Sequence, residues 1–136
     1  MKGGHLLSHW SRTQQVIALS SAEAELNSIC KAAQEGLAAK HLGEELGGES
    51  ELIIQTDSSA ARGVIRRQGA GKVKHLQGRQ LWVQQQEALG NLRVDKISRE
   101  WNCSDALTHH WSGNNGAKLF AQMGVVRRGA HVSSSE

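Results

Sequence analysis

No stretch of the chain approaches the roughly 18 apolar residues that a membrane-spanning helix needs. The N-terminus, MKGGHLLSHW, lacks the apolar core of about 7–15 residues found in a secretory signal. Both absences point to a soluble, intracellular protein with no membrane partner; cytoplasm and nucleus are not distinguished. Cysteine is scarce. Cys30 and Cys103 form no CxxC pair, which argues against a disulfide framework or a zinc knuckle. Both are expected as reduced core thiols. Proline is missing altogether, for which the pattern offers no reason.

What is present describes an ordinary soluble domain. The chain has 136 residues, 38% hydrophobic and 21% charged, enough for one domain with a real core. That domain is expected over 1–125, with a polar tail at 126–136. The net charge is only +3, but it is unevenly spread. From Ser58 to Gln86 the cations are Arg62, Arg66, Arg67, Lys72, Lys74 and Arg79, with no acid among them. Such a run fits a polyanion partner or, equally, a solvated basic face.

Hydrophobic periodicity predicts strands alternating with helices. Gly3 to Arg12 and Gln15 to Leu19 read as short strands. A long helix follows over Ser21 to Leu46, its apolar stripe at Ala22, Leu26, Ile29, Cys30, Ala33 and Leu37, and less strictly at Leu42 and Leu46. Gly47-Gly48 ends it. Leu52 to Thr56 is short and β-branched, hence a buried strand. Ser58 to Arg67 and Leu76 to Leu89 read as helices, the second with Leu81, Trp82 and Val83 inward. Leu92 to Ile97 alternates as a half-buried strand does. Asn102 opens a short helix through His109, and a last helix spans Asn114 to Met123. The order implies an α/β domain with a partly parallel sheet.

The acids near these junctions need sorting. Ser20-Ser21-Ala22-Glu23 fits a capping box, which gives Glu23 a structural task. Glu25 shares the face of the apolar stripe. There it is either paired or metal-bound, or it sits at the stripe's edge and reaches water. Asp57 ends a strand, where sites of open α/β sheets gather; it also suits a helix N-cap. Asp105 lies three residues after Asn102, the expected cap, where a negative charge suits the helix dipole. Carboxylates brought close together require a cation to stay ionised, and the hard ions they prefer are Mg²⁺ and Mn²⁺.

These segments carry a family likeness. WSRTQQVIALSSAEAEL, IIQTDSSAA, KVKHL and NCSDALTHH resemble, in order, four motifs of the ribonuclease H domain of copia-type LTR retrotransposon polyproteins. The likeness runs from about Gly4 to Val125. It implies a ribonuclease H-like mixed sheet with flanking helices, and hydrolysis of the RNA strand of RNA–DNA hybrids. It also implies four acids holding two Mg²⁺ or Mn²⁺ ions. Matched residue by residue, the helix acid falls on Glu25 rather than Glu23, the strand acid on Asp57 and the last acid on Asp105. Lys72, Lys74, His75 and Arg79, with Arg62, Arg66 and Arg67, would contact hybrid phosphates; His75 fits a packed or capping histidine as well.

The chain departs from the family pattern in three ways. No Asp or Glu precedes Glu23, so the family's first acid and opening strands have no counterpart here. His109 stands where the family has Lys, and Gln77 where it has an acid. The expectation is a domain shortened at its N-terminus, weakly active or inactive alone, whose partner in a polyprotein would be an upstream reverse transcriptase. Two readings compete with it: a non-catalytic nucleic-acid-binding remnant, and a plain α/β interaction domain whose acids are all caps. An integrase or transposase of related fold would order its acids Asp, Asp, Glu, against Glu, Asp, Asp here.

Overall fold

The computed structural model describes residues 6–9, 20–67, 78–104 and 113–125. The chain divides into two compact units, one of Thr13–Ser98 and one of Met1–Arg12 with Arg99–Glu136.

The larger unit opens with α1, Ser21–Glu45. Its start is fixed by Ser20, an extended residue whose Oγ accepts from the Glu23 N–H at 3.2 Å. This satisfies one of the helix's orphan donors. Its end is fixed by Gly47 at φ +81°, a conformation that costs a side-chain-bearing residue and costs glycine nothing. The Gly47 N–H donates to Glu44 O and the Gly48 N–H to Gly43 O, both at 2.9 Å, which is the Schellman closure.

One face of α1 is buried at Leu26, Ile29, Cys30, Ala33 and Leu37, as expected from helical spacing. The stripe stops there. Leu42 and Leu46 are 59% and 80% exposed, which corrects their inclusion. One turn beyond Leu37 the helix carries Lys40 instead, whose Nζ donates to Asn91 O at 3.2 Å.

Strands β1, Ile53–Thr56, and β2, Arg93–Lys96, pair in parallel with Ile53 opposite Arg93. A parallel pair needs a long crossover. Here it contains α2, Ser59–Arg66, and α3, Gly78–Ala88. β1 is not buried on both faces as expected: Ile54 and Thr56 point in, while Ile53 is 41% exposed. This two-residue alternation belongs to a strand with one covered face. β2 alternates as expected, with Val94 fully buried.

The inward face of α3 differs most from expectation. Val83 is fully buried and Trp82 packs against the core, but Leu81 is 39% exposed. The buried companions of Val83 are Gln80 and Gln84. Gln84 Nε2 donates to Val64 O at 2.8 Å. Val64 lies in the last turn of α2, and its carbonyl also accepts from the Arg67 N–H at 3.3 Å. A buried amide therefore closes the end of the neighbouring helix. α3 ends like α1, with the Gly90 N–H on Glu87 O and the Asn91 N–H on Gln86 O, both at 3.0 Å.

In the smaller unit, residues 6–9 form no strand, contrary to expectation; the Leu6 N–H donates to Met123 O at 3.0 Å. A 3₁₀ turn spans Arg99–Trp101, and α4 covers Gly113–Gln122. Cys103 is half-buried rather than a core thiol, with Sγ 3.9 Å from Trp101 O and from Gln122 Oε1. The strand expected at Gln15–Leu19 lies outside the described residues.

Candidate functional site

Asp57 follows directly on β1, at its carboxyl end. Cap residues crowd this junction, and the structure separates them. Ser58 is the N-cap of α2, its Oγ accepting from the Ala61 N–H at 3.1 Å. Thr56 Oγ1 accepts from the Ser58 N–H at 3.1 Å and fixes the turn. The capping role considered for Asp57 therefore belongs to Ser58. The half-buried Asp57 carboxylate makes no hydrogen bond or ion pair with another described residue.

Glu25 lies in the second turn of α1. It is half-buried beside buried Leu26 and one turn before buried Ile29, so it stands at the margin of the core face. The Glu23 N–H donates to the Ser20 cap, which is the serine half of a capping box. Asp105 lies outside the described residues, although Asn102 Oδ1 accepts from the Ser104 N–H at 3.2 Å just before it.

Among the described residues, no three His, Cys, Asp or Glu side chains gather as metal ligands. Glu25 and Asp57 offer only hard oxygen donors, the chemistry that Mg²⁺ and Mn²⁺ favour over softer metals. An acid without a partner at a strand end fits such an ion by its donor type.

The basic residues separate by their contacts. Arg62 Nε donates to Val94 O at 3.4 Å. Arg66 lies 3.6 Å from Glu87 and 3.7 Å from Asp95. Both guanidinium groups thus hold the fold together. Arg67, the C-cap of α2, is exposed. Arg79 is exposed at the start of α3. Its charge reaches Cys30 and opposes the burial that pushes this thiol from 9.0 up to about 11. Lys72, Lys74 and His75 lie outside the described residues. Spacing in the sequence could not divide these cations, because the groups that hold Arg62 and Arg66 come from β2 and α3.

The chain is 30% identical over 107 residues to a retrovirus-related Pol polyprotein from transposon TNT 1-94 of Nicotiana tabacum. The match covers 77% of this chain and 8% of that polyprotein. No family model matches the chain, and no solved structure matches it. The similarity supports a retrotransposon-polyprotein origin for this sequence. No helix among the described residues is long and apolar enough to cross a membrane.

Proposed function

We propose that the chain is the ribonuclease H part of a retrotransposon polyprotein and that its inherited reaction is hydrolysis of the RNA strand of RNA–DNA hybrids. The observation that carries this reading is Asp57. It is a half-buried carboxylate at the end of a parallel strand, relieved of capping by Ser58 and without a partner among the described residues. An acid placed there without a structural task is the hard oxygen donor that a cation such as Mg²⁺ or Mn²⁺ prefers. The order Glu, Asp, Asp in the sequence and the similarity to a Pol polyprotein support the same reading.

In this proposal Glu25 and Asp57 would hold a divalent ion, Mg²⁺ or Mn²⁺, and Asp105 is the third acid that the family likeness assigns. When bound, such ions lower the pKa of a water molecule and stabilise the leaving oxygen of a phosphodiester. The residues of the chain do the rest. Asp57 would present its carboxylate from a turn held by Thr56 and Ser58. Glu25, in the second turn of α1, would supply a second oxygen donor. Arg67, Lys72, Lys74, His75 and Arg79 would engage phosphates of the hybrid, and binding of this kind is salt-sensitive and largely blind to sequence. With three of the four acids that the family likeness implies matched in these 136 residues, the chain alone would turn over weakly or not at all.

The test is Mn²⁺ binding followed by paramagnetic broadening of amide resonances, together with hybrid binding at increasing salt. Broadening at Asp57 and Glu25 that disappears in Asp57→Asn, with hybrid binding retained, is the expected result. Hybrid binding without any Mn²⁺ effect would leave a non-catalytic nucleic-acid binder. Failure to bind either Mn²⁺ or hybrid would leave an interaction domain.

A further inference from the structure

In the parallel pair, the Arg93 N–H donates to Leu52 O and the Ile97 N–H to Thr56 O, both at 2.9 Å. Residues 93, 95 and 97 therefore turn their backbone groups towards β1. By the two-residue alternation of a strand, Val94 turns its N–H and C=O away from β1. This is the edge on which a further strand would pair.

Neither group is left bare. The Val94 N–H donates to Glu87 Oε1 at 3.3 Å, and Val94 O accepts from Arg62 Nε at 3.4 Å. One side chain comes from α3 and the other from α2. Glu87 is held in turn by Arg66 at 3.6 Å, and Arg66 reaches Asp95 at 3.7 Å. Arg93 joins Asp95 and Glu51, each at 2.8 Å. The charges thus alternate in sign from α3 to the entry of β1. The side chain of Glu87 is 15% exposed, a costly position for a carboxylate unless it has a partner to satisfy.

We propose that Glu87 and Arg62 form an edge lock. Their side chains occupy the donor and acceptor that a third strand would use, so the sheet ends at β2 and this edge cannot pair with a second copy of the chain. Open edges template such pairing, and proteins commonly block them with charge. Here the block is specific: a carboxylate takes the N–H and a guanidinium takes the C=O of one residue. Arg62 and Arg66, which the sequence offers as phosphate contacts, are then spent on closing the edge.

The test is amide hydrogen exchange read by NMR, with sedimentation of the same samples. Glu87→Ala removes the acceptor, and Val94 is expected to exchange about tenfold faster relative to the Ile97 amide, the loss of one hydrogen bond. Glu87→Gln keeps an acceptor oxygen and should preserve Val94 protection. Glu87→Ala with Arg62→Ala should self-associate at concentrations where the unmodified chain does not. Arg62→Ala alone leaves the contacts of Glu87 in place and carries the association test if Glu87→Ala fails to fold. Unchanged Val94 exchange in folded Glu87→Ala, or no gain of association in either Arg62 variant, would overturn the proposal.

Discussion

Gly36 and Leu52 approach so closely that a Cβ at position 36 would lie 2.7 Å from Leu52 Cδ1 and 3.0 Å from Cδ2. The absent side chain lets the segment entering β1 rest directly on α1. Gly36→Ala has two opposed effects. It gains about 1 kcal/mol of helix propensity. It also forces Leu52, which packs against the core, out of place, at about 1–3 kcal/mol. A net loss of about 1 kcal/mol in urea unfolding is expected. Adding Leu52→Val should recover part of it, because the crowding atoms are then removed; equal losses in the single and double variants would contradict the contact.

The bond from Gln84 to Val64 predicts that a polar residue is worth more than an apolar one in the core. Gln84→Leu removes the 2.8 Å donor to the Val64 carbonyl, which keeps the Arg67 N–H at 3.3 Å, and should cost about 0.5–1.5 kcal/mol. Leu81→Gln, at a position 39% exposed, should cost no more than about 0.5 kcal/mol. Chemical denaturation of the two variants gives the comparison, and the reverse ranking would contradict the closure of α2 by α3.

These two sites show which features were legible in the sequence. The bounds of α1 were readable because Ser20 and Gly47 act on their own helix ends. The two strands were readable from β-branched and alternating residues. The inward face of α3 was not, because periodicity counts apolar side chains and this face is built largely of amides. The stripe of α1 was overextended for the opposite reason: Leu42 and Leu46 continue its apolar content beyond the elements that could cover them. At Asp57-Ser58 both residues suit a cap, and only the geometry shows that Ser58 takes it. The division of the arginines depended on partners 21 to 32 residues away along the chain, which no local pattern reports. Asp105, Lys72, Lys74 and His75 remain readings of the sequence.

Burial pushes the Cys30 thiol from 9.0 up to about 11, with the Arg79 charge opposing. The folded state therefore holds this proton where the unfolded chain has released it. Stability from this source is complete below about pH 9 and is lost as pH rises through 11. After allowance for solvent screening the loss is about 2 kcal/mol. Unfolding free energies of the unmodified chain and of Cys30→Ala, measured from pH 8 to 11, should diverge in slope, the variant falling less steeply. Parallel curves would contradict a shifted thiol. Under native conditions a thiol reagent should label Cys103 well before Cys30, as their burial requires.

Arg66 and Arg67 are neighbours with different expected roles. Arg66→Gln breaks contacts to Glu87 and Asp95 and should lower stability by about 0.5–1 kcal/mol, given its partial exposure. Arg67→Gln should leave stability unchanged and reduce the salt dependence of hybrid binding by about one phosphate contact. Binding isotherms at several salt concentrations, paired with urea unfolding, separate the two. If both variants lose stability and neither alters the salt slope, Arg67 does not belong to a phosphate-binding surface.

Ser58 and Asp57 provide the sharpest separation of fold from chemistry. Ser58→Ala removes the cap on the Ala61 N–H and should cost about 1 kcal/mol. It leaves both candidate carboxylates in place, so Mn²⁺ binding should persist in the folded fraction. Asp57→Asn removes a charge that has no partner among the described residues. It should leave the midpoint of unfolding unchanged or raise it, while Mn²⁺ binding falls at least about tenfold, the loss seen even for a group that only orients a metal ligand. A carboxylate that only supports the fold predicts the opposite pattern, in which Asp57→Asn destabilises and metal binding is indifferent to it. Measuring the midpoint and the Mn²⁺ affinity on both variants therefore decides whether position 57 serves the strand–helix turn or the ion.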